Sequence, residues 1–198
     1  MTDRPIINRD SLRAAMPDIS PKALDLSLGA LIHACREREI NTPVRIAAFL
    51  GQLAHESAQL RFMTELWGPT ASQLRYEKPW PKALELGNTE AGDGYRYRGR
   101  GPIQITGRAN YRKFGAMLGV DLEAHPERAA WYGIGCRIAA AFWADRGLNE
   151  IADAGTLESI RRITKRINGG LNGLDKRVAH TNTARAAMGL DPLKEQAA

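Results

Sequence analysis

The sequence predicts a mainly α fold with a minor β contribution (α+β), and three observations carry that prediction. Apolar residues recur at three- and four-residue spacing in six or so segments. Several of these segments open on a capping residue followed by proline or close on glycine. One long stretch between them breaks into turn residues, as expected of an irregular insertion that holds at most a β-hairpin.

The first segment follows Ser20-Pro21, a cap with proline in the first turn, and carries Leu24, Leu28 and Leu31 on one face, with Ala34 or Cys35 following. Asn41-Thr42-Pro43 repeats the start signal. Ile46, Leu50, Leu53 and Ala54 continue it, predicting a second helix over 43–60 with His55 and Glu56 near its end. From Trp67 to Gly101 the chain reads Gly68-Pro69, Pro79-Trp80-Pro81, Gly87-Asn88 and Gly92-Asp93-Gly94, which predicts loops and short strands with no long helix. After Gly107, Ala109, Phe114, Met117 and Leu118 mark another helix, and Ile138 and Phe142 with their alanine neighbours mark a buried one. Leu157, Ile160, Thr164 and Ile167 predict a helix stopped by Asn168-Gly169-Gly170, and a last helix runs from about Leu174 to Met188.

Composition narrows the class. The chain has 198 residues, 43% hydrophobic and 25% charged, which suits one ordinary globular domain over 1–198 with no separate binding module. Its ten prolines and 19 glycines are scattered, so neither linker nor repeat is visible. The longest apolar run, Ile138 to Ala144, is far short of the roughly 20 residues that cross a bilayer. Asp3, Arg4, Asp10 and Arg13 interrupt the N-terminal region where an export signal would be apolar, so a cytoplasmic location is expected until something releases the chain. Cys35 and Cys136 are too few for a disulfide scaffold and are expected to be buried and reduced. The formal charge of +6 implies attraction to polyanions, nucleic acids and the bacterial envelope alike.

Chemistry first becomes visible at Ala54-His55-Glu56-Ser57, followed by Glu65 nine residues after Glu56. Two carboxylates are the minimum equipment for glycosidic cleavage, one to protonate the leaving oxygen and one to activate water or attack carbon. On a continuous helix nine residues advance about 13.5 Å and turn about 900°, which puts the side chains on opposite faces. Cooperation therefore requires the helix to end near Gln59 to Phe62 and the chain to fold back, with the carboxyls about 6.5–9.5 Å apart. A second segment, Tyr95-Arg96-Tyr97-Arg98-Gly99-Arg100-Gly101-Pro102-Ile103-Gln104-Ile105-Thr106, is too irregular for a central strand and lacks the spaced Gly-Lys-Ser/Thr of a phosphate loop. Gln104, Thr106 and Asn110 offer neutral groups suited to sugar hydroxyls or a catalytic water.

Taken together, Ala-His-Glu-Ser at 54–57, Glu65, Tyr-Arg-Gly-Arg-Gly-Pro-Ile-Gln-Ile-Thr at 97–106 with Asn110-Tyr111, and Ile-Asn-Gly-Gly at 167–170 resemble glycoside hydrolase family 19. These are chitinase-like enzymes that include phage endolysins of the lysozyme superfamily. The resemblance spans roughly residues 40 to 180 and implies a lysozyme-like helical fold. It also implies general acid and base roles for Glu56 and Glu65, with Thr106 holding the water, and no metal or other cofactor. Gln104, Asn110 and Asn168 match residues that line the family's sugar cleft, and His55 and Tyr97 lie beside the motif positions. The loop after Glu65 is short compared with plant chitinases. Asn172 stands where those enzymes tend to have a carboxylate supporting the acid, and both departures point toward the compact endolysin branch.

For a proton to stay on the acid, Glu56 is expected to lie against apolar surface such as Leu53, Leu60 or Phe62, with Glu65 in a wetter setting. Trp67 and Trp80 are expected either to stack on sugar rings or to pack in the core. His33, His125 and His180 show no metal-ligand spacing. The expected substrate is the glycan strand of peptidoglycan, met by a monomer drawn to the anionic envelope, with chitin as the alternative. Two rivals are a nucleic-acid binder using Arg161, Arg162, Lys165 and Arg166, and a catalytically dead glycan binder. The four basic residues read better as a solvated helix face, without specific nucleic-acid binding, and the presence of both carboxylates argues against the dead binder.

Overall fold

The computed structural model describes residues 7–194. Among them the chain forms eleven α-helices: α1 (Arg9–Ala15), α2 (Pro21–Glu37), α3 (Pro43–Glu56), α4 (Ala71–Leu74), α5 (Pro81–Glu85), α6 (Asp93–Arg96), α7 (Arg108–Leu118), α8 (Tyr132–Asp145), α9 (Leu148–Ala152), α10 (Leu157–Asn168) and α11 (Leu174–Ala187). A 3-10 turn spans Pro126–Ala130. No described helix is long and apolar enough to cross a membrane.

The predicted start signals do cap helices. Ser20 and Thr42 accept from the backbone N–H of Ala23 and Arg45 at 3.2 and 3.3 Å, each followed by proline in the first turn. Helix α1 and the short α9 escape the sequence reading because each offers only one or two turns of periodicity, although Asn8 and Ser11 close a capping box on α1.

Helix α3 is the centre of the molecule: every residue from Ile46 to Ala54 is buried. Helix α11 lies so close that a side-chain carbon on Gly51 would come within 2.1 Å of Thr181 Oγ1, so this crossing admits only glycine. On the other side Phe49 meets Trp143 of α8 edge to face, 5.4 Å between centroids, a pairing that adds about 0.5–1.5 kcal/mol to the burial itself. Trp143 Nε1 donates to Asn149 Oδ1 at 2.9 Å, and Asn149 Nδ2 donates to Arg38 O at 3.0 Å, which ties α9 to the end of α2. Cys35 and Cys136 are free and buried, and burial pushes both thiols upward, Cys136 to about 12, so neither is a reactive thiolate.

Two differences from the predicted elements matter for the site. First, α3 stops at Glu56 rather than at 60. Second, no strand forms between 67 and 107; the insertion carries three short helices and two isolated bridges, Thr64 with Arg100 and Arg100 with Ile105. The β-hairpin shrinks to one residue pair, Arg100 and Ile105, exchanging backbone hydrogen bonds of 3.2 and 3.0 Å. Pro102 has no N–H to extend the ladder, and Gly101 and Gln104 take left-handed conformations that turn the chain at once.

Candidate active site

Glu56 is the last residue of α3, and the chain reverses immediately after it. Ser57 caps the helix, and Ala58, Gln59 and Leu60 then all adopt left-handed φ values of 47°, 60° and 62°. Three consecutive non-glycine residues in that region carry a cost of about 1–3 kcal/mol each. The surroundings offset it. Ser57 Oγ donates to Leu53 O at 2.7 Å and accepts from Leu60 N at 2.8 Å, Gln59 N donates to Ala54 O at 2.8 Å, and the Leu60 side chain is buried. The Gln59 amide clasps Asp18, accepting from its N at 2.7 Å and donating to its Oδ2 at 2.8 Å. The sequence requires a break between the carboxylates; the structure places it two residues earlier than Gln59 and builds it without glycine.

The turn delivers Glu65 beside the Gly99 backbone. Glu65 N donates to Gly99 O and Gly99 N donates back to Glu65 Oε2, both at 2.8 Å, while Gln73 Nε2 reaches Oε1 at 2.9 Å. Both carboxylate oxygens are thus held as acceptors. Gln73 is buried and doubly employed, closing a capping box with Thr70 on α4 while orienting Glu65. The Thr-Ala-Ser-Gln spacing at 70–73 is a capping-box signature, so this residue was findable from sequence. A side-chain carbon at position 99 would lie 2.8 Å from Gln104 Oε1 and 3.3 Å from Glu65 Oε2, so glycine is required there for Glu65 and Gln104 to converge.

Glu56 is held by an arginine that the sequence reading missed. Arg177 of α11 is almost wholly buried; its Nη2 donates to Glu56 Oε1 at 2.5 Å, its Nη1 to Gln52 Oε1 at 2.6 Å and its Nε to Asn172 O at 3.3 Å. The expected apolar cradle for Glu56 is therefore corrected: Leu60 is turned into the core, Phe62 is exposed, and a guanidinium contacts the carboxyl. Nothing in the spacing of α11 marks Arg177, because the side chains it binds, Gln52 and Glu56, lie more than 100 residues away. Asn172 supports Glu56 only indirectly, through its main-chain carbonyl on Arg177.

A cavity of about 290 Å³ collects Glu56, Gln104, Thr106, Asn110 and Asn168, brought from α3, the 101–107 loop, α7 and the end of α10. Ile103, Ile105, Phe114, Phe142 and Ile167 supply its apolar wall, and Tyr76, Lys82 and Arg146 complete the charged and polar lining. Glu65 is not among the lining residues; it lies beside Gly99, which the lining residue Gln104 also approaches, and its charge, after burial, helps hold the hydroxyl of the lining residue Tyr76 above its ordinary value. The polar lining is braced. Gln104 Nε2 donates to Phe62 O at 3.0 Å and Gly101 O at 2.8 Å, Thr106 Oγ1 to Gln104 O at 3.1 Å, and Asn110 Nδ2 to Thr106 O at 2.8 Å. Asn168 accepts from Gly170 N at 2.9 Å and donates to Asn172 O at 3.2 Å.

Two residues predicted to bind substrate lie elsewhere. Tyr97 is fully buried: it packs on Tyr111 with centroids 5.3 Å apart and donates from its hydroxyl to Glu123 O at 3.0 Å. It anchors the insertion to α7, together with Arg108, which binds the buried Asp93 at 2.6 and 2.9 Å. His55 is turned away from the cavity onto Gly173, where a side-chain carbon would fall 2.1 Å from its ring. Burial, then the Arg177 charge, hold its imidazole below the usual range. Trp67 packs against Tyr95 and Tyr76, and Trp80 is exposed beside Arg75; neither lines the cavity. Among the described residues no group of three His, Cys, Asp or Glu side chains is placed to hold a metal ion.

The sequence profile of glycoside hydrolase family 19, described as chitinase class I, matches residues 33–150. A glycosyl hydrolase family 19 domain-containing protein of Haemophilus influenzae is 36% identical over 155 residues, covering 66% of this chain and 74% of its own length. Endochitinase A2 of Pisum sativum is 33% identical over 162 residues, covering 67% of this chain but only 48% of its own, so the chain spans about half the length of that plant relative. The fold is similar to that of chitinase C from Streptomyces griseus, with a TM-score of 0.74 and 18% identity over 98% of both chains. It is also similar to a class IV chitinase of Zea mays, with a TM-score of 0.66 and 19% identity over the whole of both chains.

Proposed function

The chain belongs to glycoside hydrolase family 19, and from that premise we propose that it hydrolyses the β-1,4 bonds of bacterial peptidoglycan strands by an inverting acid–base reaction. The observation that carries the proposal is the cavity in which Glu56 meets Gln104, Thr106, Asn110 and Asn168, with Glu65 held on Gly99 behind the lining residue Gln104. Glu56 is the general acid. Arg177 occupies Oε1, and no described donor meets Oε2, so in the protonated form of Glu56 that acts as the acid it is Oε2 that carries the proton and passes it to the leaving glycosidic oxygen. Glu65 is the base. Gln73 and Gly99 orient its carboxylate, and Thr106 helps place the water that it deprotonates. The water's oxygen bonds to the anomeric carbon as the glycosidic bond breaks, and its proton passes to Glu65. Because water attacks from the face opposite the leaving group, the configuration inverts.

Peptidoglycan is favoured by charge: a formal +6 raises the encounter rate with the anionic envelope, over a screening length of about 10 Å at 0.1 M salt. A second reading, chitin hydrolysis, is favoured by the plant and bacterial relatives that carry the name chitinase. Turnover of purified peptidoglycan and of chitin oligosaccharides, measured side by side, separates them. Faster turnover of peptidoglycan supports the proposal, and equal or faster turnover of chitin makes the second reading the better one.

A further inference from the structure

Most charged side chains in or beside the cavity are already committed: Glu56 to Arg177, Glu65 to Gln73 and Gly99, and Lys82 to Glu85 at 2.9 Å. Arg146 is the exception. It follows the last turn of α8 and lines the cavity, with its guanidinium stacked 3.5 Å above the Phe142 ring. Among the described residues nothing accepts a hydrogen bond from it. Asp145, its nearest carboxylate, lies 3.6 Å away and is taken by Lys113 at 2.6 Å. The end of a helix favours a positive charge. That preference does not explain a guanidinium seated on an aromatic ring inside a cavity, with only Nη1 near a carboxylate that another cation already holds. The ring contact restrains the group, and its remaining N–H donors can bind a carboxylate through two parallel hydrogen bonds.

With Lys82 paired to Glu85 and Glu56 to Arg177, Arg146 is the lining charge with no hydrogen-bonded counter-ion, and Arg166 is close enough to add to the positive potential around it. Chitin has no anionic group to meet this. Peptidoglycan has one on every second sugar, the D-lactyl carboxylate of muramic acid when free, or the carboxylates of the peptide stem when the lactyl group is amidated. We infer that Arg146 is a specificity-determining residue that binds a carboxylate borne by the muramic acid unit, and that the cavity uses it to distinguish peptidoglycan from neutral chitin. The inference rests on the peptidoglycan reading above and gives that preference a residue.

The test compares three substrates: glycan strands stripped of stems by an amidase, the same strands with their lactyl carboxylates converted to methylamides, and intact stem-bearing peptidoglycan. The wild-type protein should show a kcat/KM at least about tenfold higher on carboxylate-bearing strands than on methylamidated ones. Preference for stripped strands assigns the contact to the lactyl group; preference for intact strands alone assigns it to the stem. In Arg146→Gln the preference should fall about 10- to 100-fold, the scale of one or two charge-assisted hydrogen bonds, and Arg146→Lys should recover part of it. Strands cut without regard to their carboxylates, or an equal loss on all three substrates in Arg146→Gln, would overturn the inference and leave the peptidoglycan reading standing. Failure of the wild-type protein to cut any strand while it cleaves chitin oligosaccharides would overturn both.

Discussion

Replacing Arg177 by Met keeps most of its volume in the core while removing three hydrogen bonds and a charge. Two of the losses are costly for different reasons. Gln52 is wholly buried, so its Oε1 loses a donor at 2.6 Å with no water to replace it, at about 1–3 kcal/mol. Glu56 loses its cation, but its side chain is 21% exposed, so solvent takes part of the load. Breaking a buried ion pair from one side costs about 3–5 kcal/mol, and partial exposure argues for the lower end. Taking the lower end of both losses, we expect Arg177→Met to lose about 4 kcal/mol in urea unfolding at pH 7, with an unchanged slope on denaturant. For a chain of this length that is a fall in Tm of about 8–16 °C. Adding Glu56→Gln removes the orphaned charge and should restore about 1–2 kcal/mol, a coupling within the range for residues in contact. A single variant losing less than about 1 kcal/mol, or a double variant no more stable than the single one, would refute the view that Arg177 exists to hold this carboxyl.

Glu56→Gln and Glu65→Gln should each lower glycan hydrolysis by about 10²–10⁴-fold with the helical circular dichroism spectrum retained; more than half of wild-type activity in either would remove that residue from its assigned role. Gly99→Ala should reduce turnover strongly while leaving melting within a few degrees, since the new carbon meets Gln104 and Glu65 rather than the core; wild-type turnover would show that their convergence is not needed. Arg112, then Arg108, hold the Glu123 carboxyl down at about 2, against an ordinary value of 4.5. Its contribution to stability is thus fully present above about pH 4.5 and is lost as pH falls toward 2, and a Glu123→Gln variant should show a shallower acid loss in thermal melts. An unchanged acid profile would mean that the insertion is anchored by other groups. Proton NMR of the first product from a soluble oligosaccharide should show the α-anomer, and initial β-anomer would contradict single displacement.

The long helices were legible because caps and periodicity agree. Ser20-Pro21, Thr42-Pro43 and the Gly169 stop each sit within a residue or two of an observed end. The 54–57 and 97–106 segments, far apart in sequence, are brought together by the fold, since Glu56, Gln104 and Thr106 line one cavity. What stayed hidden depends on tertiary contact. Arg177 sits on α11 and Arg146 just past α8, where the local pattern gives an arginine no special meaning, and the carboxylate and cavity that they face are assembled from distant residues. The left-handed turn at 58–60 was hidden for another reason: Ala, Gln and Leu carry no turn signature, and the conformation is held by Ser57, Asp18 and burial of Leu60. Tyr97 was singled out only because it adjoins the motif. In an irregular segment neighbours point different ways, and Tyr97 points into the core.

Which glycosidic bond the protein cuts is read from the chain ends it creates. The direct measurement is to incubate the purified protein with peptidoglycan, reduce the products with borohydride and identify the new ends by mass spectrometry. Muramidase action predicts reduced N-acetylmuramic acid at the new ends, appearing with wild-type protein and absent with Glu65→Gln. New ends of reduced N-acetylglucosamine, or no new ends under conditions where chitin oligosaccharides are cleaved, would contradict it.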